Sequence, residues 1–219
     1  MSPYIDIHTH RLGTPCDDTI SVYSLRLGKE NPDDIPRPMW AGVHPWDCDT
    51  VGLEAIGRLS DMAIDGIGEI GLDRTRGDLA LQRLFLDGQL AVAAERDMPV
   101  ALHAVRTSEE VIAAVRKSGV DRGRVTLHGF AGGKELAARY LGEGYMLSVG
   151  WRTLASQRGR EAVASIPDGR LFAETDTEGD IREVYGGIAA VRGCGVEELR
   201  DMIYDTYRRL FGRLSNIDV

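Results

Sequence analysis

Long hydrophobic runs are missing from this chain. No apolar stretch reaches the roughly 18 residues that a membrane-crossing helix requires. The opening MSPYIDIHTH has no basic segment followed by an apolar one, so no secretory leader is expected either. Cysteine is scarce: Cys16, Cys48 and Cys194 lie far apart, are odd in number and form no CxxC pair. A disulfide framework is therefore not expected, and reduced thiols in the cytoplasm are the default. Positive charge is in deficit, with 26 Lys and Arg against 34 Asp and Glu and a formal net charge of -8. That balance argues against a broad electrostatic grip on nucleic acid, but leaves room for a local basic patch or a metal pair that holds a phosphate. With 219 residues, 43% hydrophobic and 27% charged, the chain fits one globular domain over residues 1–219.

What is present is an alternation of short apolar runs and longer helical stretches. Strands are expected at Tyr4–His8, Met39–His44, Gly66–Gly71, Pro99–His103, Val125–His128, Tyr145–Val149 and Leu171–Thr175, with a weaker eighth at Ile20–Leu27. Helices fill most gaps: Leu79–Arg96, with Leu81, Leu84, Phe85 and Leu90 near helical spacing, then Lys134–Gly142, Leu154–Ser165, Asp180–Arg192 and Val196–Phe211. Thr107 and Glu110 form a capping-box pattern for a further helix that Gly119 would end. Strands alternating with helices imply parallel βαβ units, and this number of them implies an α/β fold, a (β/α)8 TIM-type barrel. Arg11–Pro38 breaks the rhythm, since it holds four of the eight prolines and no convincing helix. The barrel is thus expected to be shortened near the N-terminus, with a long loop in place of its first helix.

The five histidines are His8, His10, His44, His103 and His128. Four of them end an expected strand or stand just beyond one, and Glu69 and Asp176 do the same on other strands. The C-terminal ends of parallel barrel strands open onto one face, where reactive groups gather. His8 and His10 form an H-x-H pair whose side chains point the same way on a strand, so both can reach one cation. Taken singly, His103 or His128 also fits a core imidazole with a partner, Glu69 a surface strand-end acid, and Asp176 a helix cap. Together they predict a divalent-metal centre of His8, His10, Glu69, His103, His128 and Asp176.

Six segments in order then resemble the TatD family of metal-dependent deoxyribonucleases, within the amidohydrolase-like barrels. IDIHTHRL resembles the family's opening, AGVHPW its Gly-x-His-Pro segment and GIGEIGLD its glutamate-bearing strand. The stretch from Gln82 through Phe85 and Gln89 to PVALH resembles the next helix and histidine strand. LHGFAGG and FAETD complete the series to Asp176, and Ile181–Phe211 resembles the last helices more loosely. The resemblance implies a binuclear site in a compact subgroup. His8, His10 and Asp176 would hold one metal, His103 and His128 the other, and Glu69 would bridge, with zinc, manganese or magnesium as the ion. The sequence departs from the family where Trp46 replaces a frequent second histidine, where Arg106 stands one place late in HAVR, and where the proline after Glu-Thr-Asp is missing. These departures fall in substrate-facing segments and leave the metal set intact.

On this reading the chain is a hydrolase that uses two divalent cations to activate water. Asp176 would orient the water and accept its proton. His44, the histidine without a metal role, would donate to the scissile or leaving group. Arg106, Arg152 and Trp46 are candidate substrate contacts, though either arginine also fits solvated surface. Asp73 and Glu174 are candidate carboxylates for orienting the ligands. The favoured substrate is a phosphodiester, at a DNA end or in a small nucleotide. Amide, ester or lactone hydrolysis at carbon is the rival, and a metal-bound scaffold without activity the third reading.

Overall fold

The computed structural model describes residues 1–12 and 17–212. Eight strands form one sheet in sequence order: β1 Tyr4–Thr9, β2 Thr19–Arg26, β3 Met39–Gly42, β4 Gly66–Asp73, β5 Val100–Val105, β6 Val125–Leu127, β7 Met146–Val149 and β8 Leu171–Ala173. The helices are α1 Ala55–Arg58, α2 Leu79–Glu95, α3 Ser108–Ser118, α4 Lys134–Gly142, α5 Trp151–Leu154, α6 Gln157–Val163, α7 Ile181–Arg192 and α8 Val196–Phe211. Pairing is parallel from β2 to β6 and between β7 and β8. The first and last strands meet at a parallel Thr9–Asp176 bridge. This is the topology of a (β/α)8 barrel. Between β1 and β3 the described residues hold β2 and a single 3-10 turn at Pro32–Asp34, in place of a first barrel helix. Pro15 and Cys16 of the long loop expected there lie outside the described residues.

The chain gathers into two compact units, one taking in Met1–Val22 and His128 onward, the other Tyr23–Leu127. In the first, α7 and α8 bury Ile181, Val184, Tyr185 and Ile188 and Leu199, Ile203, Leu210 and Phe211. The Tyr185 hydroxyl accepts the Ile5 amide at 3.0 Å and so pins β1. In the second, β4 is buried along its whole length, as a strand covered on both faces should be.

Three local expectations change. The buried face of α2 carries Gln82, Phe85, Leu86, Gln89 and Leu90, while Leu84 is exposed. The two glutamines displace the expected leucines because their amides are needed elsewhere, as shown below. Thr107 does not cap α3 through its side chain. Its hydroxyl donates to the Leu72 carbonyl at 2.9 Å, and Glu110 pairs with Arg74. The helix expected over Leu154–Ser165 occurs as α6, which starts only at Gln157 because Ser156 caps it by accepting the Gly159 amide at 3.0 Å, while Leu154 ends α5.

Two glycines let β4 and β5 approach. A Cβ at Gly68 would press on the Ala101 carbonyl and side chain, and one at Gly71, where φ is 155°, would collide with the His103 backbone. Gly71→Ala is expected to cost about 3 kcal/mol or more. In a thermal melt this lowers Tm by roughly 6–12 °C.

Candidate metal centre

In the unit Tyr23–Leu127 the chemistry centres on Glu69. The β4–β5 register shifts between Ile67 and Ile70, so a bulge falls at Gly68 and Glu69. Bulges re-aim a side chain, and this one lies on the glutamate. The Glu69 carboxylate is 3% exposed and meets His103 Nδ1 at 2.6 Å and His44 Nε2 at 3.1 Å. Ligand-type atoms of His44, Glu69 and His103 all lie within 4.8 Å of one another, so His44 joins a group the sequence reading kept it out of. His44 Nδ1 accepts the Trp46 amide at 3.1 Å. Its neutral tautomer therefore carries hydrogen on Nε2 and donates to Glu69. Burial lowers the pKa of this ring against the opposing pull of Glu69, which keeps it neutral.

The far nitrogen of His103, Nε2, faces Asp73 Oδ2 at 3.4 Å. A carboxylate behind an imidazole fixes its tautomer and direction. Asp73 is itself held. Its Oδ2 accepts the Trp46 indole N–H at 2.7 Å, and its Oδ1 accepts the Thr75 amide and hydroxyl at 2.8 and 2.6 Å. Burial raises the Asp73 pKa, but the hydrogen bonds from Thr75 and Trp46 outweigh it and hold the carboxyl below its usual range.

Main-chain positions come from α2. Gln89 Oε1 accepts the Val43 amide at 2.6 Å and its Nε2 donates to the Val43 carbonyl at 3.2 Å. Gln82 does the same for Asp73, at 2.7 and 3.1 Å. Each glutamine thus fixes the strand exit from which His44 or Asp73 projects. The turn after His44 is fixed as well, by a two-point Arg26–Asp47 pair at 2.9 and 2.7 Å.

In the other unit, His8 and His10 alternate along β1 with their Nε2 atoms 3.3 Å apart. Two donors about 2.1 Å from one cation, at right to tetrahedral angles, stand roughly 3.0–3.4 Å apart. The pair fits that span. Asp176 is tied to the same two residues: its amide donates to the His8 carbonyl and its carbonyl accepts the His10 amide, both at 2.9 Å. Its Oδ1 lies 3.9 Å from His10 Nε2. The Asp176 backbone is left-handed, with φ 54°, a conformation aspartate tolerates better than most residues. His128 stacks on His8 at 4.0 Å between ring centroids. Its Nδ1 lies 3.6 Å from Glu174 Oε1, which accepts the Gly129 amide at 2.7 Å. Burial raises the Glu174 pKa, but His128 leads the contacts that bring it below its usual range.

Asp6 was not singled out in the sequence. Its carboxylate accepts the Thr175 amide at 2.9 Å and hydroxyl at 2.6 Å, next to Asp176, and burial pushes it up to about 7. The available signal was its alternation with His8 on one strand face. The two candidate arginines are peripheral. Arg152 is 73% exposed and lies 3.7 Å from Glu178. Arg106 is exposed just past β5 at φ 56°, with its carbonyl accepting Arg74 Nε at 3.0 Å. Imidazoles and carboxylates without thiolates suit zinc, manganese or magnesium, and His44, Glu69 and His103 lie close enough together to fit such an ion.

Residues 12–212 match the family model described as TatD related DNase. The chain belongs to the TatD-related DNase family. Among curated TatD relatives, the uncharacterized metal-dependent hydrolase YjjV of Escherichia coli K12 is 31% identical over 152 residues, 64% of this chain and 58% of its own length. This chain therefore spans less than two thirds of that relative. The 3'-5' ssDNA/RNA exonuclease TatD of Pantoea ananatis is 32% identical over 203 residues, 78% of this chain and 76% of its own. The crystal structure of YjjV, a TatD homologue, aligns with a TM-score of 0.82 at 22% identity, covering 95% of this chain and 98% of that one, and shows the same fold. Within the TatD family frame, the buried glutamines and Asp6 are the support that sequence reading left without a role.

Gln89→Leu would leave the buried Val43 amide and carbonyl without partners, at a cost of about 1–3 kcal/mol each. A Tm loss of roughly 4–24 °C is expected by calorimetry, and an unchanged Tm would contradict the assigned role.

Proposed function

We propose that this protein is a metal-dependent phosphodiesterase acting on DNA ends or small nucleotides. His8, His10, Glu69, His103, His128 and Asp176 would hold two divalent cations, with Glu69 as the shared ligand. The observation that carries this reading is the convergence of His8 and His10 Nε2 atoms at 3.3 Å beside an Asp176 bonded to their own backbone. Membership of the TatD family and the exonuclease name of the Pantoea ananatis relative support phosphorus rather than carbon as the centre attacked.

When bound, the cations would supply Lewis acidity and charge neutralisation for attack by water. The remaining chemistry belongs to side chains. The Asp176 carboxylate takes a proton from the attacking water, and its backbone ties to β1 keep it aimed. His44, neutral with hydrogen on Nε2, is a donor, to Glu69 in this structure and to the scissile or leaving group in the reaction. Asp73 faces the outer nitrogen of His103 and favours hydrogen there, so that the inner nitrogen, which points at Glu69, would be the one to ligate. Glu174 faces His128 Nδ1 in the same way. Arg106 and Arg152 are assigned to anionic groups of the substrate. A cytoplasmic location is part of the same proposal; among the described residues no helix is long and apolar enough to cross a membrane.

The test uses protein stripped by chelator and reloaded with manganese, magnesium or zinc. Substrates are single-stranded DNA, an aryl phosphodiester, a lactone and a dipeptide. Turnover of the first two, lost on chelation and restored by metal, is expected. Asp176→Asn should lower kcat by roughly 10²–10⁴-fold. Turnover confined to the lactone or dipeptide would replace the reaction class, and bound metal without any turnover would favour a scaffold.

A further inference from the structure

We propose that Trp46 is a platform on which a base of the substrate stacks, with Arg76 meeting the adjoining phosphate. This rests on the phosphodiesterase reading above and names the residue that would select a nucleotide over any other phosphodiester.

Trp46 is 45% exposed, whereas Trp40, six residues earlier on β3, is fully buried. Its exposure is not that of a mobile surface side chain. The indole N–H is bound to Asp73 at 2.7 Å and the backbone amide to His44 at 3.1 Å. The ring stands edge-on to His44 at 4.9 Å and 80°, and to His103 at 6.2 Å and 79°. A large aromatic surface is thus held rigidly beside two imidazoles of the proposed centre, with its polar atom already satisfied. What it presents to solvent is apolar ring, and a pre-ordered ring loses little freedom when a ligand stacks on it.

The surrounding charge indicates what that ligand is. The Arg76 guanidinium sits 4.8 Å from the ring centroid, a cation–π contact. Arg74 is also exposed in this unit but its charge is paired with Glu110, and its Nε bonds the carbonyl of the exposed Arg106. In a chain of net charge -8, a guanidinium held over an exposed indole has the composition of a surface that binds unpaired bases and their phosphates. A competing explanation gives Trp46 one task only, to donate to Asp73 and thereby steady His103. The two accounts differ in what they require: stacking needs an aromatic ring, and the relay needs an indole N–H.

The full-length, metal-loaded protein is compared on tetrathymidylate and on a tetramer of abasic tetrahydrofuran phosphates of equal charge. Binding is followed by quenching of tryptophan fluorescence before turnover, and cleavage by product release. Wild type is expected to favour the base-bearing tetramer by about ten- to a hundred-fold in KM. Trp46→Leu should erase that preference and the quenching, whereas Trp46→Phe should keep most of the preference. Trp151→Leu, at the other exposed tryptophan, should keep both. Equal handling of the two tetramers by wild type, or equal losses in Trp46→Phe and Trp46→Leu, would overturn the platform while the phosphodiesterase reading stood. If wild type cleaves neither tetramer yet turns over a lactone or dipeptide, the underlying reading fails and the platform with it.

Discussion

A carboxylate without water is the constraint around which the unit Tyr23–Leu127 is arranged. Glu69 is all but sealed in β4, and an ionised carboxyl in that position costs several kcal/mol unless partners offset it. The neighbouring strand ends offer only imidazoles, His44 and His103. A neutral imidazole can donate one hydrogen bond, which compensates part of the charge, and a cation compensates far more. The rest of the unit follows from keeping these three groups in one place. A bulge aims Glu69, glycines bring β4 against β5, and two buried glutamines hold the backbone where His44 and Asp73 emerge. Apolar side chains at Gln82 and Gln89 would bury more hydrocarbon, but they would leave strand-end amides and carbonyls without partners.

The other unit solves the same problem with different parts. There the acid nearest the paired imidazoles, Asp176, is not inside a strand. It reaches its position in a left-handed conformation, and backbone hydrogen bonds to the same residues whose rings it faces hold it there. Asp6 grips the preceding Thr175 through both its amide and its hydroxyl. Burial makes ionisation of Asp6 unfavourable, so its value lies in positioning rather than in charge. Glu174 beside His128 and Asp73 beside His103 repeat one arrangement, a buried carboxylate facing one nitrogen of an imidazole. Hydrogen bonds from Thr75 and Trp46 hold Asp73 below its usual range despite burial, and the contact with His128 does most to hold Glu174 there.

Strand identity was legible because each strand is a short apolar run bounded by turn residues. All eight expected strands occur, with ends differing by a residue or two. Within each unit, strand-end position was the legible signal: His8 and His10 come together beside Asp176, and His103 meets Glu69. What could not be read were interactions whose partner is main chain. Gln82 and Gln89 bind backbone atoms, and no residue pattern marks a backbone carbonyl as needing a partner. Thr107 looked like a helix cap because the local pattern fits, yet a carbonyl from the adjacent strand claimed its hydroxyl. The helix expected over Leu154–Ser165 fits helical spacing, but a serine cap delays its start. His44 was assigned to the substrate, and no residue pattern marks its contact with Glu69.

The ligand composition also bears on how an acidic chain could hold an anionic substrate. Charges more than about 8 Å apart are largely screened at physiological salt, so the formal -8 says little about the floor of a site. Local charge decides, and in the proposed centre four of the six ligands are imidazoles that bind metal in neutral form. Two divalent cations would then keep net positive charge after Glu69 and Asp176 are counted. A centre richer in carboxylates would hold the same ions more neutrally and lose its pull on a phosphate. The choice of imidazole over carboxylate at His8, His10, His103 and His128 therefore matters for substrate sign as much as for metal affinity, and it lets the rest of the surface stay acidic without opposing the reaction.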